Sequence, residues 1–301
     1  MASTTIIPLR SSAPAPPAGG QMQERVRLMH LSDIHFGRED KTALDAAARF
    51  AADIKPDAII VAGDITQRGR RSEFAAARAW FDSLGCRVII APGNHDTPWS
   101  HLALRALRPF GRYARSMDGL DALGQLIELN EGAVRICAIN TARGMQARLN
   151  WADGVIDLTD LTDALDRLSA GPPEAWRILI CHHPLHEPAH SQVSVDTRRG
   201  AHALELCARA HVDIILTGHI HDAFAHSLRG ARRPLVQMGS GTLSRRTRAS
   251  PAGFCLVEIT GGRLTQDLIS VSRTGLATRR LYDSGASGER RQPAGLTCPA
   301  V

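Results

Sequence analysis

Residues 59–67, IIVAGDITQ, decide the fold. Ile59 to Ala62 form an apolar, mostly β-branched run that ends in Gly63 and then in one carboxylate, Asp64. A short uninterrupted run of this kind, closed by glycine, reads as a strand buried on both faces that delivers a single side chain at its carboxyl end. Four other stretches repeat the arrangement: LMHLSDIH ending at His35, VIIAPGNHD ending at Asp96, ILICHHP ending at Pro184 and IILTGHIH ending at His221. Ligands of α/β sheets sit just beyond the carboxyl ends of the strands, so five clusters far apart in sequence are expected to converge on one place.

Outward from these strands the chain alternates. Strand 26–32 precedes a helix over 41–54, closed by Pro56; strand 58–62, helix 72–84, its stop Gly85, and strand 88–91 complete a βαβαβ series that favours parallel pairing. A helical stretch follows around 99–107. Strands over 125–129 and 134–140 flank a tight turn and predict a hairpin, added to the same sheet or starting another. Helix 158–168, strand 177–181, helix 201–210 and strand 213–217 resume the alternation. The short strands AFAHSLR, PLVQMG, GFCLVEIT and RLTQDLIS, with turns at Gly230, Gly253 and Gly261–Gly262, predict a closing antiparallel meander. The order predicts an α/β fold: a four-layer αββα sandwich of two mixed sheets flanked by helices, forming a single catalytic domain over residues 25–274. A disordered Pro/Ala/Ser-rich leader, 1–24, and a flexible tail, 275–301, are expected on either side.

Bulk properties exclude several classes. With 301 residues, 44% hydrophobic and 22% charged, the chain can bury a large core and is neither disordered nor an integral membrane protein in its body. Its six cysteines are scattered without a CxxC pair, and the N-terminus has no basic segment leading into an apolar one, so reduced core thiols and a cytoplasmic location are expected. The net charge of +6 comes from arginines grouped at 68–71, 229–233 and 245–248, which favours anionic partners or simply a solvated basic face.

The strand-end residues carry the chemistry. A lone Asp-x-His or His-x-His is common and usually structural; five such clusters at equivalent strand ends are not. Carboxylate, amide oxygen and imidazole together suit manganese, iron (ferrous or ferric), zinc or cobalt. Asp33, His35, Asp64, Asn94, His182, His219 and His221 make seven ligands, too many for one catalytic ion with an open position, so two divalent or trivalent ions sharing Asp64 are expected. His183, pointing away from His182 along a strand, is expected to support the ligands or fill core. His30 and His226 read as ordinary strand histidines, and His101, His186, His190, His202 and His211 lack convergent partners.

Over 28–222 these motifs resemble the calcineurin-like metallophosphoesterases, whose signature runs DxH, GD, GNH[DE], a strand-end histidine and GHxH. The resemblance implies one ion on Asp33, His35 and His221, a second on Asn94, His182 and His219, with Asp64 bridging, and in-line attack on phosphorus by a metal-bridging hydroxide. It also implies that His95 serves the leaving alkoxide, with Asp96 able to orient it. HLSDIHFG, VAGDITQRGR, APGNHD, CHHPL and LTGHIH look most like the class III cyclic nucleotide phosphodiesterases and bacterial glycerophosphodiesterases. A cyclic nucleotide or similar small phosphodiester is the implied substrate. A membrane-surface phospholipid or nucleotide-sugar pyrophosphatase would need an exposed apolar patch near the site; a nuclease is disfavoured by 4% aromatic content; a non-catalytic phosphate-binding module stays open. Arg68, Arg70 and Arg71 contact substrate phosphate or only solvent, and GSGTLSRRTR (239–248) covers the site or only turns.

Overall fold

Strands with no polar interruption become the centres of two sheets. The computed structural model describes residues 25–147, 150–188, 191, 195–228 and 232–285. The predicted leader, His190, Arg229, Gly230, Cys298 and the chain beyond 285 lie outside the described residues. The elements in order are β1 (Arg25–Leu31), α1 (Lys41–Ile54), β2 (Ala58–Ala62), α2 (Arg71–Ser83), β3 (Val88–Ala91), α3 (Leu102–Leu107), α4 (Gly111–Ser116), β4 (Leu126–Leu129), β5 (Val134–Ala138), α5 (Leu158–Ser169), β6 (Trp176–Ile180), α6 (Gly200–Arg209), β7 (Ile214–Thr217), β8 (Phe224–Leu228), β9 (Leu235–Gly239), β10 (Gly253–Thr260), β11 (Arg263–Ser272) and β12 (Gly275–Asp283).

One sheet runs β12-β11-β10-β1-β2-β3 and the other β4-β5-β6-β7-β9-β8. Both are mixed: β1, β2 and β3 are parallel, as are β5, β6, β7 and β9, with antiparallel strands added outside them. Every residue of β2, β3, β5, β6 and β7 is buried, as strands covered on both faces require. Leu28, Ile60, Ile89, Ile136, Ile178, Leu216 and Met238 fill the space between the sheets. Alternate residues of the first sheet pack under α1, α2 and α4 through Phe74, Phe81 and Tyr113, and those of the second under α5 and α6 through Leu161 and Cys207. This is the expected αββα sandwich.

Two expectations need correction. The closing strands do not form one meander: β8 and β9 join the second sheet, where β9 lies parallel to β7, while β10–β12 join the first sheet beside β1. Nor does the ordered chain stop at residue 274, because β12 pairs along β11 from Thr265 to Ser272. Its arginines and glycine mimic a tail, yet on a solvent-facing edge strand charged residues are ordinary. The β4/β5 hairpin starts the second sheet. Among the described residues no disulfide forms, and no helix is long and apolar enough to cross a membrane.

Candidate metal centre

The ends of β1, β2, β3, β6 and β7 meet at one edge of the sandwich. Asp33 and His35 follow β1, Asp64 follows β2, Asn94 begins a 3₁₀ turn after β3, His182 follows β6, and His219 and His221 follow β7. All seven residues expected to bind metal are brought together, and all but the partly exposed His219 are buried. Ala62 O bonds His182 Nδ1 (2.8 Å), which fastens the two sheets to each other here.

The backbone is strained where these side chains turn inward. Asp33, His35, Asp64, His219 and His221 all have φ between 51° and 71°, a region L-residues seldom adopt and which costs about 1–3 kcal/mol each. Close approach demands glycine at Gly93, where a Cβ would lie 2.3 Å from Asp64 Oδ1, and at Gly218, where it would lie 1.7 Å from Ser32 Oγ.

One rule governs the side chains: one atom is tied down and the other faces the cluster. His182 Nδ1 bonds the Ala62 carbonyl, His221 Nδ1 the Arg246 carbonyl (2.6 Å) and His95 Nδ1 the Gln67 carbonyl (2.8 Å). A carbonyl only accepts, so each Nδ1 carries the proton and each Nε2 faces inward, the arrangement that prepares an imidazole to ligate. Asp33 Oδ2 accepts from Ser32 Oγ (2.7 Å) and His219 N (2.9 Å), and Asp64 Oδ1 from His95 N (2.8 Å). Their second oxygens face imidazoles: Asp33 Oδ1 is 3.2 Å from His221 Nε2, and Asp64 Oδ2 is 3.7 Å from His35 Nε2 and 3.5 Å from His182 Nε2.

Ring nitrogens and oxygens crowd together here. His35 Nε2 and His221 Nε2 stand 3.2 Å apart, His182 Nε2 and Asn94 Oδ1 3.1 Å apart, and buried Asp33 Oδ1 and His35 Nδ1 have no hydrogen-bond partner. A cation would satisfy such converging imidazole nitrogens and carboxylate oxygens in a buried space. The groups Asp33–His35–His221, His35–Asp64–His95, Asp33–Asp64–His182 and His182–His183–His219 each bring ligand atoms within 4.8 Å, so Asp64 belongs to groups on both sides. The donor set fits the expected metals.

Electrostatics follow the same division. Burial would raise both carboxyls, but His221 beside Asp33 and His182 beside Asp64 hold them far below the usual carboxylate range. Burial pushes His35 and His219 down to about 3, leaving them neutral. Burial would lower His182 as well; Asp64 overrides it and raises the imidazole to about 9, and Asp33 likewise raises His221.

His95 lies at the cluster's rim, its ring 4.8 Å from that of His35 in an edge-on arrangement. Asp96 does not orient it. Asp96 Oδ1 accepts from Thr66 N and Oγ1, and Oδ2 from Ile65 N and Gly93 N, so this carboxylate ties the 3₁₀ turn to the end of β2 while Gln67 O sets the His95 tautomer. Burial and the nearby Asp64 raise Asp96 to about 7 against those four donors.

Arg246 is the site residue the sequence did not single out. Its Nη1 lies 3.0 Å from His95 Nε2 and 3.3 Å from His35 Nε2. The segment 240–246 does cover the site, held by Ser240 Oγ on His30 O (2.8 Å) and Thr242 Oγ1 on Asp33 O (2.6 Å). The missed signal is PLVQMG: taken as a parallel strand beside β7, it would have been a sixth strand end delivering residues to the same edge.

The other candidates separate cleanly. His183 does not point away, because β6 ends at Ile180; its ring lies 4.6 Å from that of His219. Both its nitrogens are bonded, to Thr141 Oγ1 and Ala152 O (each 2.8 Å), which fits the expected supporting role. His30 is buried between the sheets, and His186 stacks on His226. Arg68 lines a cavity of about 450 Å³ next to Asn94 and His95, walled by Trp99, Leu102, Arg105 and Trp151. Arg70 pairs instead with Glu73. A cavity of about 480 Å³ at the opposite strand ends, beside Asn130 and Trp176, has no such cluster.

Among known proteins, a probable cyclic nucleotide phosphodiesterase of Synechococcus is 25% identical over 213 residues, 65% of this chain and 74% of its own. A glycerophosphodiester phosphodiesterase of Enterobacter lignolyticus is 26% identical over 211 residues, 65% of this chain and 70% of its own. A dimetal phosphatase from Danio rerio has the same fold, with a TM-score of 0.61 at 13% identity over 85% of this chain and 99% of its own. The pattern of the calcineurin-like phosphoesterases matches residues 26–223. Because that match takes in all five strand ends and most of the chain, the chain belongs to the calcineurin-like phosphoesterase family and is a metal-dependent phosphoric ester hydrolase.

Proposed function

We propose that the enzyme is a binuclear phosphodiesterase acting on a small phosphodiester, a cyclic nucleotide or one of similar size. The observation that carries this is the inward-facing set of Nε2 and carboxylate oxygens around Asp64, which belongs to ligand groups on both sides. Asp33, His35 and His221 would hold one ion and Asn94, His182 and His219 the other, with Asp64 shared; manganese, iron, zinc and cobalt suit these donors. Two such ions supply Lewis-acid polarisation of a phosphoryl group and an activated water.

The chain's own residues do the rest. His95 Nε2 is the atom from which a proton would pass to the leaving alkoxide, with its ring fixed by the Gln67 carbonyl. Arg246, now bonded to that same nitrogen, has the charge and reach to turn to a phosphoryl oxygen and free it. The adjoining cavity falls within the range of about 300–1,000 Å³ for small-ligand sites, and offers the indole of Trp151 with amides at Gln67 and Asn150 for a planar base. The relatives' names support diester chemistry. Five free thiols among the described residues support a cytoplasmic location.

The experiment is a panel: metal-free and Mn²⁺-loaded enzyme with 3′,5′-cyclic AMP, a glycerophosphodiester, a monoester and a nucleotide-sugar pyrophosphate. Metal-dependent turnover with the diesters ahead of the monoester is expected. No diester turnover, or preference for the monoester, would overturn the proposal. A second reading, a pyrophosphatase at a membrane surface, draws on the exposed leucines of α3, and the fourth substrate separates it.

A further inference from the structure

Six large hydrophobic side chains stand exposed among the described residues, and five of them, Trp99, Leu102, Leu104, Leu107 and Met145, fall on α3, the turn before it and the segment beside it at Gly144. Trp99 and Leu102 wall the cavity itself. Leu104 and Leu107 continue outward along α3, and Met145 adjoins them through Gly144, whose carbonyl accepts from Arg105 Nε at 2.6 Å. Leu107 is 82% exposed, so it contributes nothing to the core.

On α3 and the residues that follow it to Met117 the charge has one sign. Residues 97–117 contain Arg105, Arg108, Arg112 and Arg115 but no aspartate or glutamate, and residues 139–152 also lack acids. None of these four arginines is in an ion pair among the described residues. Arg108 and Arg115 point their charge into solvent on the same segment as the leucines.

The occupant must therefore accept apolar side chains and anion-seeking arginines at once. Nucleic acid satisfies the arginines but offers nothing to aliphatic Leu104 and Leu107, which cannot stack on bases. A second copy across a two-fold axis would set the acid-free arginines against themselves. An anionic bilayer meets both demands, and tryptophan is at home at its interface.

We infer that this face docks the enzyme on an anionic lipid surface, with Trp99, Leu102, Leu104, Leu107 and Met145 entering the headgroup boundary and Arg108 and Arg115 meeting lipid phosphates. The cleft then opens toward the membrane plane. The inference does not depend on which ester is cleaved.

Vesicle sedimentation with the full chain tests it, using phosphatidylcholine alone and phosphatidylcholine with roughly one-third phosphatidylglycerol. Binding to the anionic vesicles is expected, weakened when salt rises from about 0.1 M to about 1 M and the screening length falls from about 10 Å to about 3 Å. Leu107→Asp should weaken that binding about tenfold, and Arg108→Ala with Arg115→Ala by a similar factor, with far-UV circular dichroism unchanged. Absence of binding to anionic vesicles would overturn the inference, as would binding equal to wild type in both variants. A wild-type dimer that Leu107→Asp dissociates would give the face to a second copy and overturn it equally.

Discussion

At His182 two demands meet on one ring. Nδ1 is committed to the Ala62 carbonyl, and Nε2 has only acceptors before it, Asn94 Oδ1 and Asp64 Oδ2. In metal-free protein a proton answers them: burial opposes it, but Asp64 raises the imidazole to about 9. His35 and His219, pushed down to about 3 by burial, need lose nothing to ligate. Metal binding must therefore expel protons from His182 and His221, so affinity should climb as pH rises from about 6 toward 9, releasing one to about two protons per chain. Calorimetry in buffers of different ionisation enthalpy measures this, and a flat affinity with no proton release would refute it. His95 yields a different prediction. His95→Ala should keep its metal but lose about 10²-fold in rate for esters with poor leaving groups, and much less for p-nitrophenyl esters; equal losses across a leaving-group series would remove its acid role. The seven proposed ligands were legible because each follows an apolar run. Arg246 was not, because nothing in RRTR distinguishes a site arginine from its exposed neighbours Arg245 and Arg248.

Among elements, the central strands could be read almost to the residue. α1 spans 41–54 and β2 58–62 as expected, since burial on both faces leaves an uninterrupted apolar run and Pro56 and Gly63 mark the limits. Sheet membership could not be read from local sequence. PLVQMG looks the same whether its partner is antiparallel β8 or parallel β7, and it pairs with both. The hairpin start of the second sheet was equally open, because which sheet β4 and β5 join depends on residues far along the chain. The glycines at strand ends hold the elements at their closest approach. Gly93→Ala would drive a Cβ to 2.3 Å from Asp64 Oδ1 and displace that carboxylate. The expected result is intact circular dichroism with metal affinity reduced at least about tenfold, read by competition with a chelating dye. Unchanged affinity would mean that the β3 turn yields without moving Asp64.

For the whole molecule, two sheets with their parallel strand ends at one edge explain why the proposed ligands from residues 33 to 221 converge. The β12 strand belongs to that body. It lies on solvent, but it satisfies the β11 edge from Thr265 to Ser272. Ending the chain at residue 274 should expose that edge, lower Tm by roughly 5 °C or more and promote association, seen by calorimetry and size exclusion. An unchanged Tm would restore the tail reading. The proposed two-ion centre would join both sheets through Asp64, which follows β2 and faces His35 on one side and His182 on the other. Metal content by mass spectrometry after Mn²⁺ reconstitution, read beside diester turnover in wild type and Asp64→Ala, tests that centre most directly. The expected result is about two ions per wild-type chain, with loss of ions and at least about 10³-fold of rate in the variant. A variant that keeps both ions and its activity, or a fully active wild type with a single ion, would contradict it.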